Sequence, residues 1–244
     1  MTLNIKNCSF AYGLGKQVLD SLELAFYPGR TALLGPNGAG KSTLLAICAN
    51  IYSPDEGTID LDGLSPNGRK ERNAYRRDVA WLPQSVSTFP GLRVREHVAY
   101  SGWLKGMSRQ AAWEGAATAI DVVELTTLQN SPTKALSGGQ IRRLGIASAL
   151  VHDAKVILLD EPTAGLDPRQ HGRLRDVLSR VSEKVHVVAS THDIGDIDAL
   201  FDRVTVMSAG SVKFDGTTSE FLLQGGGGTT AAESAYSTLV ALED

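Results

Sequence analysis

The sequence predicts an α/β fold with a mostly parallel core sheet, an antiparallel β layer at the N-terminus and a helical subdomain inserted into the sheet. Three observations lead there. Five short runs are apolar at nearly every position: Thr31 to Leu34, Val79 to Leu82, Val156 to Leu159, Val185 to Ala189 and Val204 to Met207. Such runs suit strands covered on both faces, the condition of a parallel sheet flanked by helices. The first thirty residues alternate instead, through Leu3 and Ile5 and then Leu22, Leu24 and Phe26, before Pro28-Gly29 closes a turn. That alternation marks strands of an antiparallel layer. Between Arg95 and Val151 the strand runs stop, and Val98, Trp103, Ala112, Ala116, Ile120 and Val123 fall at helical spacing.

The 244 residues exceed one average domain, enough to bury a substantial core. Apolar residues make up 42% and charged residues 21%, which excludes wholesale disorder. With 24 Lys and Arg against 27 Asp and Glu, the net charge of −3 argues against a partner coated along its phosphates, so no nucleic acid is expected. Cys8 and Cys48 are too few for a disulfide framework or a zinc site and read as buried reduced thiols. Lys6 interrupts any signal-peptide core, and no stretch approaches the roughly 18 apolar residues of a membrane helix. A membrane role therefore has to come through a partner. The domain is expected over residues 1–223, with the helical subdomain at about 86–152. Residues 224–244 read as a joint containing Gly225 to Gly228 and a tail whose Ala232, Ala235, Tyr236, Leu239 and Val240 share one face.

Three motifs carry chemistry. Gly35 to Ser42 reads GPNGAGKS, a match to G-x-x-x-x-G-K-[ST], placed directly after an apolar run and before a helical one. Glycines let successive backbone N–H groups turn inward, and the helix start adds partial positive charge, so the loop binds phosphate. Lys41 then reaches the β- and γ-phosphates and the Ser42 hydroxyl holds Mg²⁺. In Lys155 to Glu161, KVILLDE, a buried strand delivers two carboxylates at its C-terminal end, where ligands bind in open α/β sheets. Asp160 is expected on the Mg²⁺ side, with Glu161 orienting or deprotonating an attacking water. In Leu136 to Gln140, LSGGQ, Ser137 is a good N-cap, and Gly138 and Gly139 leave N–H groups open as a second anion site. A capped helix with a glycine entry explains that motif physically but leaves a second phosphate-ready terminus without a purpose.

Together the phosphate loop, LSGGQ and LLDEP resemble the ATP-binding cassette (ABC) ATPases, from Leu3 to about Leu223. The order and spacing agree: 96 residues from Lys41 to Ser137, 23 from Ser137 to Asp160, and 31 from Glu161 to His192. The resemblance implies ATP and Mg²⁺ as ligands. ATP would be gripped by Asn37, Gly38, Ala39, Gly40, Lys41, Ser42 and Thr43, with Tyr12 stacked on adenine. Gln84, in WLPQ, would contact Mg²⁺ and sense a membrane partner; His192 would touch the γ-phosphate; Asp167, in AGLDP, would cross to a second subunit. The segment THDIGDID departs from the family in lacking the acidic pair common after this histidine.

The resemblance further implies two cassettes facing head to tail, identical or paired. Each ATP would lie between the phosphate loop of one and Ser137, Gly138, Gly139 and Gln140 of the other. Such a chain would power an integral membrane permease made separately, from a cytoplasmic position on the inner face of the cell membrane. SALVHDAKVILLDEPTAGLDPRQ and the tail look more like the drug and polysaccharide efflux ATPases than the importers, so export is expected. Phe89, Leu92, Val94 and Trp103 either offer an apolar groove to a permease helix or are ordinary helix packing, and the basic run Arg69 to Arg77 is expected to be a solvated face rather than a surface for lipid headgroups. Two competing classes are weaker. A soluble ABC ATPase acting on DNA or ribosomes would need a long coiled-coil insertion or a second cassette, and a P-loop kinase would not need LSGGQ.

Overall fold

The computed structural model describes residues 1–13, 15–182, 185–195, 197–226 and 231–240. Gly227 and Gly228 of the glycine joint and the last four residues of the tail lie outside the described residues.

The N-terminal layer is a three-stranded antiparallel sheet in the order β2-β1-β4. It is built from β1 (Leu3–Ala11), β2 (Gln17–Phe26) and β4 (Glu56–Leu61). Leu3 pairs with Phe26 on one side and Leu61 on the other. The inward residues Leu3, Ile5, Leu24, Phe26, Ile59 and Leu61 are buried, so the alternation read from the sequence is the pleat itself.

The main sheet runs β5-β6-β7-β3-β8-β9, where β3 is Arg30–Leu34, β5 Val79–Leu82, β6 Val156–Asp160, β7 His186–Ser190, β8 Arg203–Ser208 and β9 Ser211–Thr217. The first five strands pair in parallel, and β9 is an antiparallel edge. These are the five apolar runs of the sequence. Every residue of β6 and β7 is buried, as expected of strands sandwiched between two packed faces.

Helix α1 (Lys41–Cys48) packs under the three-stranded layer, in a core with Phe26, Ile59 and Leu158. The basic run forms α2 (Arg69–Asp78), of which only Tyr75 is buried. Arg76 of that run is bound to Asn50, and Arg77 to the Lys105 carbonyl. Between β5 and β6 the chain forms α3 (Val94–Leu104), α4 (Arg109–Val122) and α5 (Gly138–Leu150). Their apolar faces share one core with Leu82, Leu159 and Leu174, so the inserted helices are continuous with the sheet. After β6 come α6 (Pro168–Ser182), the short α7 (Ile197–Leu200), α8 (Thr218–Leu223) and, closing the described chain, α9 (Ala231–Val240).

One sequence expectation needs correction here. Val94 lines no groove: it is fully buried in the core beneath α3. Exposed apolar side chains of this region include Phe89, Tyr100, Trp103 and Leu104, with Phe89 edge-on to Tyr100 at 4.8 Å and Tyr100 stacked on Trp103 at 5.6 Å.

At the start of β7, His186 is buried, and neither ring nitrogen has a hydrogen-bond partner among the described residues. Burial, helped by the positive N-terminus, pushes its pKa down to about 4. The unfolded chain takes up that proton near pH 6.5, so the contribution of neutral His186 to stability is complete above about pH 6.5 and is lost as the pH falls towards 4. Chemical denaturation between pH 7 and 5 should show a loss on the order of 1 kcal/mol per pH unit that is reduced in His186→Leu. An equal pH dependence in the variant would contradict this.

Candidate active site

Because β5, β6, β7 and β3 are neighbours in the sheet and point the same way, the residues that follow them emerge at one edge. Gly35 follows β3, Gln84 comes two residues after β5, Glu161 follows β6 and His192 lies just beyond β7. Parallel order thus gathers four distant parts of the chain, as at the carboxyl edge of other open α/β sheets.

The phosphate loop makes its turn where side chains have no room. Gly35 has φ 153°, and a Cβ there would overlap the Met207 carbonyl at the end of β8. Gly40, with φ 99°, sits at the start of α1, where a Cβ would lie 2.8 Å from Leu19 Cδ2. The loop is therefore wedged between β8 and β2, with its backbone against both. Lys41 is buried, and its ammonium donates to the Gly35 carbonyl at 2.6 Å and the Pro36 carbonyl at 3.0 Å. Burial lowers its pKa, while Glu161 and Asp160 oppose that shift and favour the charge.

Behind the loop lies Asp160, 4% exposed. Its Oδ1 accepts from Ser42 Oγ at 2.9 Å and from Ser190 Oγ at 2.8 Å. Ser190 Oγ in turn accepts the Glu161 backbone N–H at 2.8 Å. In a regular strand Asp160 and Glu161 would face opposite ways. Glu161 instead has φ 44°, a left-handed conformation that costs a non-glycine residue about 1 kcal/mol or more. The turn brings its carboxylate into the cavity, where Oε2 accepts from Gln84 Nε2 at 3.0 Å and Oε1 lies 3.8 Å from His192 Nδ1.

The resulting cavity, of about 900 Å³, is lined by Tyr12, the whole loop from Gly35 to Thr43, Gln84, Glu161 and His192, with Val18 and Tyr236 completing the wall. Tyr12 is half exposed, donates to or accepts from Thr43 Oγ1 at 3.0 Å, and stands edge-on to Phe10 and Tyr52. Asp160 reaches the cavity only through Ser42. Ser42 and the Gln84 side-chain carbonyl offer hard oxygen donors that fit Mg²⁺, with Asp160 behind Ser42 supplying the negative charge, and no cluster of three His, Cys, Asp or Glu among the described residues offers a softer metal site.

The LSGGQ residues, the signature set of this chain, are elsewhere. Ser137, Gly139, Gln140 and Asp167 line a second cavity of about 310 Å³, together with Arg143, Arg169, Gln170 and Arg173, and the two cavities share no residue. Ser137 and Gln140 satisfy each other in a capping box: Ser137 N–H donates to Gln140 Oε1 at 2.8 Å, and Gln140 N–H donates to Ser137 Oγ at 3.4 Å. Asp167 Oδ1 accepts from the Gln170 N–H at 2.8 Å, capping α6. Gly138 follows Ser137 at the open end of α5, and a Cβ there would meet nothing within 4 Å. A third connection was not anticipated from sequence: Arg142 of α5 donates to the Pro83 carbonyl at 3.2 Å, joining the signature helix to the loop that carries Gln84.

A parallel sheet with a phosphate loop, two strand-end carboxylates and a separate capped helix start defines a nucleotide-hydrolysing cassette. The comparisons agree. Residues 19–164 match the family described as ABC transporter. A Clostridium acetobutylicum protein named as an ABC transporter ATP-binding protein is 33% identical over 222 residues, 89% of this chain and 80% of that one. The human retinal-specific phospholipid-transporting ATPase ABCA4 is 34% identical over 204 residues, 83% of this chain but 9% of that much longer protein. Among solved structures, cbiO1 of Clostridium perfringens, described as part of the ABC transporter complex cbiONQ, superposes with a TM-score of 0.81 at 28% identity, covering 91% of this chain and 90% of that one. The bacterial ABC transporter cassette MJ0796, solved as a dimer, gives 0.78 at 28% identity over 88% of this chain and 98% of that one. The chain belongs to the ABC transporter family, as an ATP-binding subunit of its ATPase class.

Sequence reasoning passed over Ser190, whose only signal is a hydroxyl at the end of an apolar run. Its removal should leave both Asp160 and the Glu161 N–H short of a partner. Ser190→Ala is expected to cost about 1–3 kcal/mol of stability and to slow ATP turnover with little change in ATP affinity. Denaturation and steady-state kinetics check this, and unchanged turnover would contradict the positioning role.

Proposed function

We infer that this chain hydrolyses ATP as one half of a cassette pair and that the pair drives a permease in the membrane. The observation that carries this reading is the separation of the two cavities within one chain. Gly35 to Thr43, Gln84, Glu161 and His192 line one, Ser137, Gly139, Gln140 and Asp167 line the other, and no residue is shared between them. A second copy, turned head to tail, would bring its Ser137, Gly138, Gly139 and Gln140 over the loop of the first, with Asp167 at the crossing. The same contacts are then made twice.

In that arrangement Lys41 and the loop N–H groups neutralise the β- and γ-phosphates, and Tyr12 packs on the base. Mg²⁺, held by Ser42, Asp160 and Gln84, would supply further charge neutralisation. Glu161, turned into the cavity by its left-handed backbone, receives the proton of the attacking water, and His192 beside it orients the γ-phosphate. Gln84, bonded to Glu161 and joined through Pro83 to Arg142 of α5, links the reacting centre to the inserted helices. The exposed Phe89, Tyr100 and Trp103 at the edge of those helices form the surface that meets the permease.

No helix among the described residues is long and apolar enough to cross a membrane, so the reading places the chain on the inner face of the membrane beside a separate permease. A transport role is favoured over a soluble machine by relatives whose names place them in transporters. The efflux-like phrase around KVILLDEP favours export.

Glu161→Gln should keep ATP affinity, lower turnover by about 10²-fold or more, and accumulate as a dimer with ATP and Mg²⁺. Light scattering coupled to size exclusion, beside a phosphate-release assay, reads all three. Near-normal hydrolysis would remove Glu161 from its role.

A further inference from the structure

Helix α9 packs on the strands that carry the phosphate loop. Its Ala235 is fully buried in a cluster with Ala32 and Leu34 of β3, Val204 and Val206 of β8, Ile197 of α7 and Phe221 of α8. Leu34 immediately precedes Gly35, and β8 ends where Met207 presses on Gly35. Ile194, two residues past His192, packs against the same cluster. The tail is thus seated on the underside of the loop and beside the histidine.

Tyr236 follows Ala235 and lies half-buried at the margin of that seat, where it is both part of the apolar packing and part of the wall of the 900 Å³ cavity. Burial raises the pKa of its phenol, so the side chain is neutral at physiological pH and adds no charge opposed to a triphosphate. Among the described residues that line the cavity, it is the one that comes from beyond the glycine joint.

We propose that Tyr236 is a nucleotide-contacting residue whose ring forms one wall of the ATP site, so that nucleotide binding and the docking of α9 stabilise each other. The proposal rests on the loop cavity being the nucleotide site. Because coupling is reciprocal, whatever α9 contributes to nucleotide affinity, the nucleotide returns to α9 docking. A nucleotide-loaded subunit then holds its tail down, and displacement of the tail weakens the grip on nucleotide.

The test uses the full chain and Mg·ADP, which binds without turnover. Calorimetry should show the Kd of Tyr236→Ala raised about fivefold or more, within the usual range of coupled sites, with Tyr236→Phe restoring affinity to within about twofold by retaining the ring. In the unmodified protein, Mg·ADP should slow hydrogen exchange across residues 231–240, a readout that needs no substitution. A Kd for Tyr236→Ala equal to that of the unmodified chain, with exchange in α9 indifferent to Mg·ADP, would overturn the proposal alone. Failure of the unmodified chain to bind Mg·ADP, or binding unaffected by Lys41→Ala, would instead remove the cavity assignment beneath it.

Discussion

The site turns on one buried carboxylate. Asp160 ends β6, and its Oδ1 takes the hydroxyl of Ser42 at the start of α1 and that of Ser190 at the end of β7. A carboxylate at this depth costs several kcal/mol unless it is hydrogen-bonded, so the three elements are held together at the edge where the phosphate loop emerges. Ser190 passes the constraint on by accepting the Glu161 N–H, and Glu161 is held with φ 44°. The strained residue is the one whose carboxylate has to leave the strand's alternation to enter the cavity. Such strain persists where surrounding contacts over-determine it.

Much of this was legible in the amino-acid sequence, for identifiable reasons. The five apolar runs became parallel strands because burial on both faces removes the polar alternation that would otherwise obscure a strand. GPNGAGKS and KVILLDE were readable because glycine freedom and adjacent strand-end carboxylates are local properties. β4 and β9 were not singled out: EGTIDL opens with three exposed residues, and SVKFDGT is a mixed edge strand with one buried glycine. Their partners, rather than their own composition, decide what they bury. Val94 illustrates the converse. Its closeness in sequence to Phe89 and Trp103 suggested a shared groove, but helix geometry turns it inward while the aromatics stay out.

Long-range contacts are the rest of what the sequence concealed. Ser190, Arg142 and Tyr236 matter through partners 30, 59 and roughly 200 residues away, and nothing in their own neighbourhoods marks them. The tail's spacing marked one apolar face, but not that this face would seat against the strands beneath the phosphate loop.

In the proposed pair, a complete ATP site draws its two halves from different copies. Mixing two inactive chains tests this most directly. Lys41→Ala disables the loop; Gly138→Asp places a negative charge at the signature helix start, at a position with open space for a side chain. A mixed pair holds one site with both halves intact, which neither variant can form alone. ATP hydrolysis by the mixture should therefore exceed the sum of the separate activities. A mixture no more active than that sum, while each variant still folds, would show that the halves do not meet across copies.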